Sequence, residues 1–85
     1  MSQQQPRIVL YSTRQCGYCR QAKAFLQQRG LRFTEYDLAR NRRAQAEFQR
    51  SGSRGVPMIM VGGRRLDGFD PKRLSRLLRD SGFDV

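Results

Sequence analysis

The sequence contains no histidine, and its only cysteines are Cys16 and Cys19. Without imidazole, acid–base catalysis and metal ligation by histidine are both excluded. A structural zinc site asks for four ligands, and two thiols fall short of it; a four-cysteine site would require two chains. No apolar run approaches the ~20 residues that span a bilayer as a helix. Internal repeats and low-complexity tracts are absent as well. The opening "MSQQQPR" lacks the apolar centre of a secretory signal and reads as a flexible lead-in over residues 1–6. The expected compartment is cytoplasmic, where an isolated structural disulfide is unusual.

Negative charge is scarce too: 7 Asp and Glu stand against 17 Lys and Arg, a net charge of +10. Such a balance suits nucleic acid, acidic protein surfaces or anionic small ligands. The basic residues are scattered, however, with only short pairs at Arg42-Arg43 and Arg64-Arg65, and no basic–aromatic motif accompanies them. The pattern reads as a solvated surface rather than a nucleic-acid module. What is present, 85 residues of which 38% are hydrophobic, suffices for one small domain over 1–85 with a single core.

The elements follow from local pattern. "RIVLYS", Arg7 to Ser12, is an apolar run of strand formers. Gly17 to Arg29 suits a helix with Gly30 as its stop, and Cys19, Ala22, Phe25 and Leu26 fall on one face. "LRFTEYDL" alternates as a second strand from Leu31. Asp37 or Asn41 can cap a second helix running to about Arg50, with Ala44 and Phe48 inward and Gly52 beyond its end. "VPMIMVGGRRLDGF" reads as a hairpin turning at Gly62-Gly63. In "DPKRLSRLLRDSG", Asp70 is the N-cap, Pro71 the first helical residue and Gly82 the terminator, with Leu74, Leu77 and Leu78 as the apolar stripe. The order β-α-β-α-β-β-α predicts an α/β fold with a mixed sheet and helices on its faces.

The cysteines then gain a chemical reading. Cys16 precedes a helix, where free N–H groups and the positive end of the dipole favour a thiolate. Cys19 lies one turn inside, on the apolar face, and is expected to stay a shielded thiol. One attacking and one resolving sulfur fit that asymmetry better than two inert thiols do. C-x-x-C beside a βαβ pattern is a redox signature.

From Arg7 to Leu78 the chain resembles the glutaredoxins, of the thioredoxin fold. The likeness rests on "CGYC", on "SRGVP" before the third strand, and on "GG" then "DGFD" around the last strand. It implies a thioredoxin-like four-stranded mixed sheet flanked by three helices. The implied activity is that of a glutathione-linked thiol–disulfide oxidoreductase, acting on protein disulfides and glutathione mixed disulfides. Cys16 would be the exposed nucleophile and Cys19 the resolving thiol, with no metal. A cis peptide is implied at Val56-Pro57, the Val56 backbone pairing with the bound peptide or glutathione and Tyr18 packing beside the site. Glutathione, the implied co-substrate, would lie in a groove bordered by Arg14, Tyr18, Arg54, Val56, Pro57, Gly68 and Asp70, with Arg20 adding to a basic rim. Disulfide-bearing proteins are the implied partners of a monomer.

Four departures keep alternatives open. Gly17 stands where the family usually has Pro, which is similar to variants that hold a 2Fe–2S cluster between two subunits through Cys16 and glutathione. Thr13, followed by Arg14, replaces the basic residue usual three places before the nucleophile, and Gly55 replaces a Thr. "DGFDP" keeps Gly68 and Asp70 of the glutathione pattern but not Asp67 and Pro71. It resembles the glutaredoxin-like donors to ribonucleotide reductase, which draw electrons from thioredoxin reductase.

Overall fold

The computed structural model describes residues 6–85. Of the lead-in expected over 1–6, only Pro6 therefore lies among the described residues. Among these residues seven elements follow one another: β1 (Ile8–Ser12), α1 (Gly17–Gln28), β2 (Thr34–Asp37), α2 (Arg42–Ser51), β3 (Met58–Val61), β4 (Arg64–Asp67) and α3 (Pro71–Asp80). The sheet order is β2-β1-β3-β4. β1 and β2 run parallel, while β1 with β3 and β3 with β4 run antiparallel. This is the predicted mixed sheet and the thioredoxin-like α/β fold.

Strand alternation divides the core in two. Ile8 and Leu10 of β1 and Ile59 and Val61 of β3 point to the face covered by α1 and α3, where Ala22, Phe25, Leu26, Leu74, Leu78 and Phe83 close over them. Tyr11 and Met58 point the other way and meet Leu38 and Ala44, with Phe48 and Val56 packed alongside. Leu10, Leu26, Leu74 and Leu78 are fully buried, so truncating any one to Ala is expected to cost about 2–5 kcal/mol. Leu77, predicted on the same stripe, is only half-buried at its edge.

Helix ends explain where local reading holds and where it shifts. Gly30 adopts φ +66°, its N–H donates to Gln27 O at 3.0 Å, and the Leu31 N–H donates to Leu26 O at 3.1 Å. This closure satisfies the last carbonyls of α1 and commits the Leu31 N–H to the helix. The second strand accordingly begins at Thr34 rather than Leu31, and Leu31 and Phe33 pack against the α1–α3 core instead. Of the two caps considered for α2, Asn41 is the one used: its Oδ1 accepts from Ala44 N at 3.0 Å. Asp37 ends β2 opposite Ser12 and caps the intervening turn through Ala39 N at 2.9 Å. At α3, Phe83 N donates to Leu78 O at 2.9 Å in the same kind of closure as Leu31, burying the Phe83 ring.

Candidate active site

Register gathers the site at one end of the sheet. Tyr11 pairs with Met58, Met58 with Asp67, and Ser12 with Asp37. The segment leading to Cys16, the Val56–Pro57 loop and the Gly68–Asp70 turn thus emerge at the same edge, although up to 54 residues separate them in sequence.

Cys16 is the N-cap of α1, with extended backbone (φ −99°, ψ 108°), and its Sγ accepts a hydrogen bond from Cys19 N at 3.0 Å. Sulfur thus occupies a position where Ser, Thr or Asp oxygen is the usual acceptor. In the reduced protein an N–H directed at this sulfur favours the thiolate over the thiol. The first turn holds no acidic residue to oppose it. Cys16 is half-buried, so it stands less open than the exposed nucleophile implied above. Cys19 is 2% exposed, packed on the apolar face as predicted. The two form a disulfide with Cα atoms 5.2 Å apart, inside the range that a disulfide spans without backbone movement.

The loop after α2 emerges at the same edge of the sheet. The Val56–Pro57 peptide is cis, and Pro57 is buried while its carbonyl accepts from Gly68 N at 2.8 Å. Gly68 holds φ +81°, a left-handed conformation that glycine adopts without penalty, and this turn aims its N–H back at Pro57. Arg54, Gly55, Val56, Asp67 and Gly68 line one open cleft. Of the residues predicted around glutathione, the structure thus brings Arg54, Val56 and Gly68 together, with Pro57 beneath them.

The others are placed differently. Arg14 lines a separate recess with Ser12, Thr13, Glu35 and Asp37, and its Nε lies 3.8 Å from the Asp37 carboxylate. Asp70 caps α3, accepting from Lys72 N at 3.0 Å and Arg73 N at 3.3 Å, and lies 3.9 Å from the Arg73 guanidinium. Tyr18 is 63% exposed and stands out into solvent rather than packing. One cleft residue was not singled out as a site residue from sequence. Asp67, seen there only as a departure, accepts a hydrogen bond from the Ser53 hydroxyl, and its carboxylate lies 3.5 Å from Arg65. Arg65 in turn donates to the Ser51 carbonyl. Nothing local announces this lattice, because Ser53 and Asp67 meet only through the pairing of β3 with β4.

Disulfide exchange requires one sulfur that can be reached and a second close enough to pair with it, and a helix-capping Cys16 beside a buried Cys19 supplies that arrangement. On this fold they define a thioredoxin-like thiol–disulfide oxidoreductase. The glutaredoxin family model matches residues 8–66. A glutaredoxin of Pseudomonas aeruginosa is 38% identical over 66 residues, covering 76% of this chain and 79% of its own. The chain belongs to the glutaredoxin family. Among solved structures, the glutaredoxin-like protein NrdH-redoxin from Escherichia coli superposes with TM-score 0.77 at 28% identity, covering 84% of this chain and 93% of that one. The buckwheat glutaredoxin–glutathione complex gives TM-score 0.71 at 26% identity, covering 94% and 83%.

Proposed function

We propose that the protein reduces protein disulfides and glutathione mixed disulfides through Cys16 and Cys19, with glutathione as the returning reductant. The observation that carries the reading is the asymmetry of the two sulfurs: one caps the helix and accepts an N–H, the other is buried. In the reduced enzyme the Cys16 thiolate attacks a substrate disulfide, forming a mixed disulfide and releasing the first substrate sulfur as thiolate, which takes up a proton. Cys19, losing its proton, attacks Cys16 Sγ and expels the second substrate sulfur. Two electrons pass to the substrate, and the Cys16–Cys19 disulfide remains. Two glutathione thiolates restore the dithiol by the same exchange in reverse, leaving oxidised glutathione. Arg54 at the cleft offers charge to a carboxylate of the tripeptide, and the Val56 backbone offers strand-like pairing to its cysteinyl part.

A second reading, a redoxin recharged by thioredoxin reductase, is favoured by one feature. Asp67 puts a carboxylate into the cleft beside Gly68, where the γ-glutamyl carboxylate of glutathione would sit, and like charges there oppose binding. The solved E. coli neighbour is described as having a thioredoxin-like activity profile, and the buckwheat one as a glutathione complex. Coupled turnover separates the two. NADPH consumption is compared with glutathione plus its reductase against thioredoxin reductase alone, on a glutathione mixed disulfide and on a protein disulfide. Turnover of the mixed disulfide with glutathione supports the first reading. Turnover sustained by thioredoxin reductase alone moves the assignment to the second.

A further inference from the structure

Away from the cleft, a groove runs between the outer side of α3 and the last turns of α1, bounded by Phe25, Arg29, Lys72, Ser75, Arg76 and Arg79. Its four cations have no carboxylate partner among the described ion pairs. Lys23 takes Glu35, Arg14 and Arg40 share Asp37, Arg64 takes Asp80, Arg65 takes Asp67 and Arg73 takes Asp70. Lys72, Arg76 and Arg79 follow one another at i, i+4 and i+7, a single stripe of like charge along α3. Neighbours of like sign at this spacing destabilise a helix by about 0.2–0.5 kcal/mol each, and of the three only Arg79, in the last turn, is favoured by the helix dipole. Arg29 is held ready opposite. Its guanidinium carbon lies 3.5 Å from the Phe25 ring centroid, and Nη1 donates to the Phe25 carbonyl at 3.3 Å. A guanidinium fixed in this way has its remaining N–H donors positioned for a carboxylate.

We propose that this groove docks an acidic segment of a disulfide-bearing protein substrate; the proposal rests on the dithiol-reductase reading above. α1 itself links the two places. Phe25 and Arg29 lie 9 and 13 residues beyond Cys16, roughly 14 and 20 Å along the helix. An extended chain covers that distance in about four to six residues. A substrate cysteine engaged at Cys16 thus puts a Glu or Asp four to six residues away over the groove. Nucleic acid fits less well. The Phe25 ring is buried and covered by Arg29, leaving no aromatic face for base stacking, and the one large aromatic exposed among the described residues, Tyr18, is outside the groove.

Two measurements test the proposal. A cysteine-free Glu-rich peptide is titrated into the oxidised protein while backbone amides are followed. Shifts are expected at Arg29 and Lys72 to Arg79 and not at Gly52 to Gly55, vanishing at about 0.5 M salt. Arg76→Glu/Arg79→Glu is expected to weaken binding about tenfold. In turnover, one disulfide peptide carrying Glu about five residues from its cysteine is compared with its Gln counterpart. The Glu form is expected to show a lower KM, and the double variant to erase that advantage while leaving the Gln form unchanged. Equal KM values, an equal slowing of both peptides by the double variant, or tighter binding of a single-stranded RNA to the groove at the same salt overturns the proposal. If neither peptide is reduced although the Glu peptide still binds in the groove, the reductase reading fails and the acidic-segment site alone stands.

Discussion

At Cys16 a single sulfur caps the start of a helix and, in the mechanism we propose, also makes the attack. Its acceptor bond from Cys19 N and its place at the dipole's positive end both favour the ionised form, whereas burial of Cys19 opposes ionisation there. Cys16→Ser is expected to abolish all exchange, because it removes the attacking atom. Cys19→Ser is expected to abolish reduction of protein disulfides while leaving deglutathionylation by a second glutathione. Alkylation of the reduced protein at mildly acidic pH, mapped by mass spectrometry, is expected to label Cys16 first; prior labelling of Cys19 would reverse the roles. On the opposite face, Tyr11 donates its hydroxyl to Glu47 Oε2 at 3.0 Å. Burial first, then the Glu47 carboxylate, pushes its pKa from 10.0 up to about 12. A raised tyrosine pKa means that the stabilisation is whole below about 10 and disappears as pH rises through about 12. The wild type is expected to lose about 2–3 kcal/mol relative to Tyr11→Phe across that window. Urea denaturation of both at neutral and alkaline pH measures it, and parallel curves would show that Tyr11 titrates normally.

Among the elements, α3 is the one whose start borders the site. Its N-cap, Asp70, satisfies two backbone donors at the head of a helix that opens with Pro71. Asp70→Ala is expected to lower stability by about 1 kcal/mol, and Asp70→Ser, which caps as well but carries no charge, to recover most of it. The same pair of variants divides structure from ligand binding. A KM for glutathione mixed disulfide that rises in Asp70→Ser, with stability recovered, assigns the carboxylate to the ligand as well as to the cap. An unchanged KM leaves it with the cap alone. α1 likewise serves two places, since its cap is the proposed nucleophile and its third turn is one wall of the basic groove.

Across the whole molecule, charge is the dominant imbalance. The net charge is +10, and the ion pairs among the described residues lie at the surface or half-buried. Such pairs contribute little each, whereas like-charge repulsion acts on the compact state as a whole. The thermal midpoint is therefore expected to rise from low salt to about 0.5 M as repulsion is screened. A fall on adding salt would show that the ion pairs outweigh the repulsion. No helix among the described residues is long and apolar enough to cross a membrane.

Sequence by itself determined the features that depend on neighbours a few residues apart. The C-x-x-C ahead of a helix, the Gly30 stop, the Gly52 and Gly82 ends and the Asp70–Pro71 start are all local, because capping and turn chemistry act within one helical turn. The element order followed from them. Tertiary structure decided what depends on sheet register. Asp37 lost the role of helix cap to Asn41 because pairing with Ser12 holds it at the end of β2. Arg14 turned to Asp37 rather than to the cleft for the same reason. Asp67 came to face Ser53 because β4 pairs with β3, and four scattered basic residues became one groove because α1 and α3 cover the same face. Contacts between residues far apart in the chain are set by which strands pair and which faces pack, and a short window of sequence holds neither.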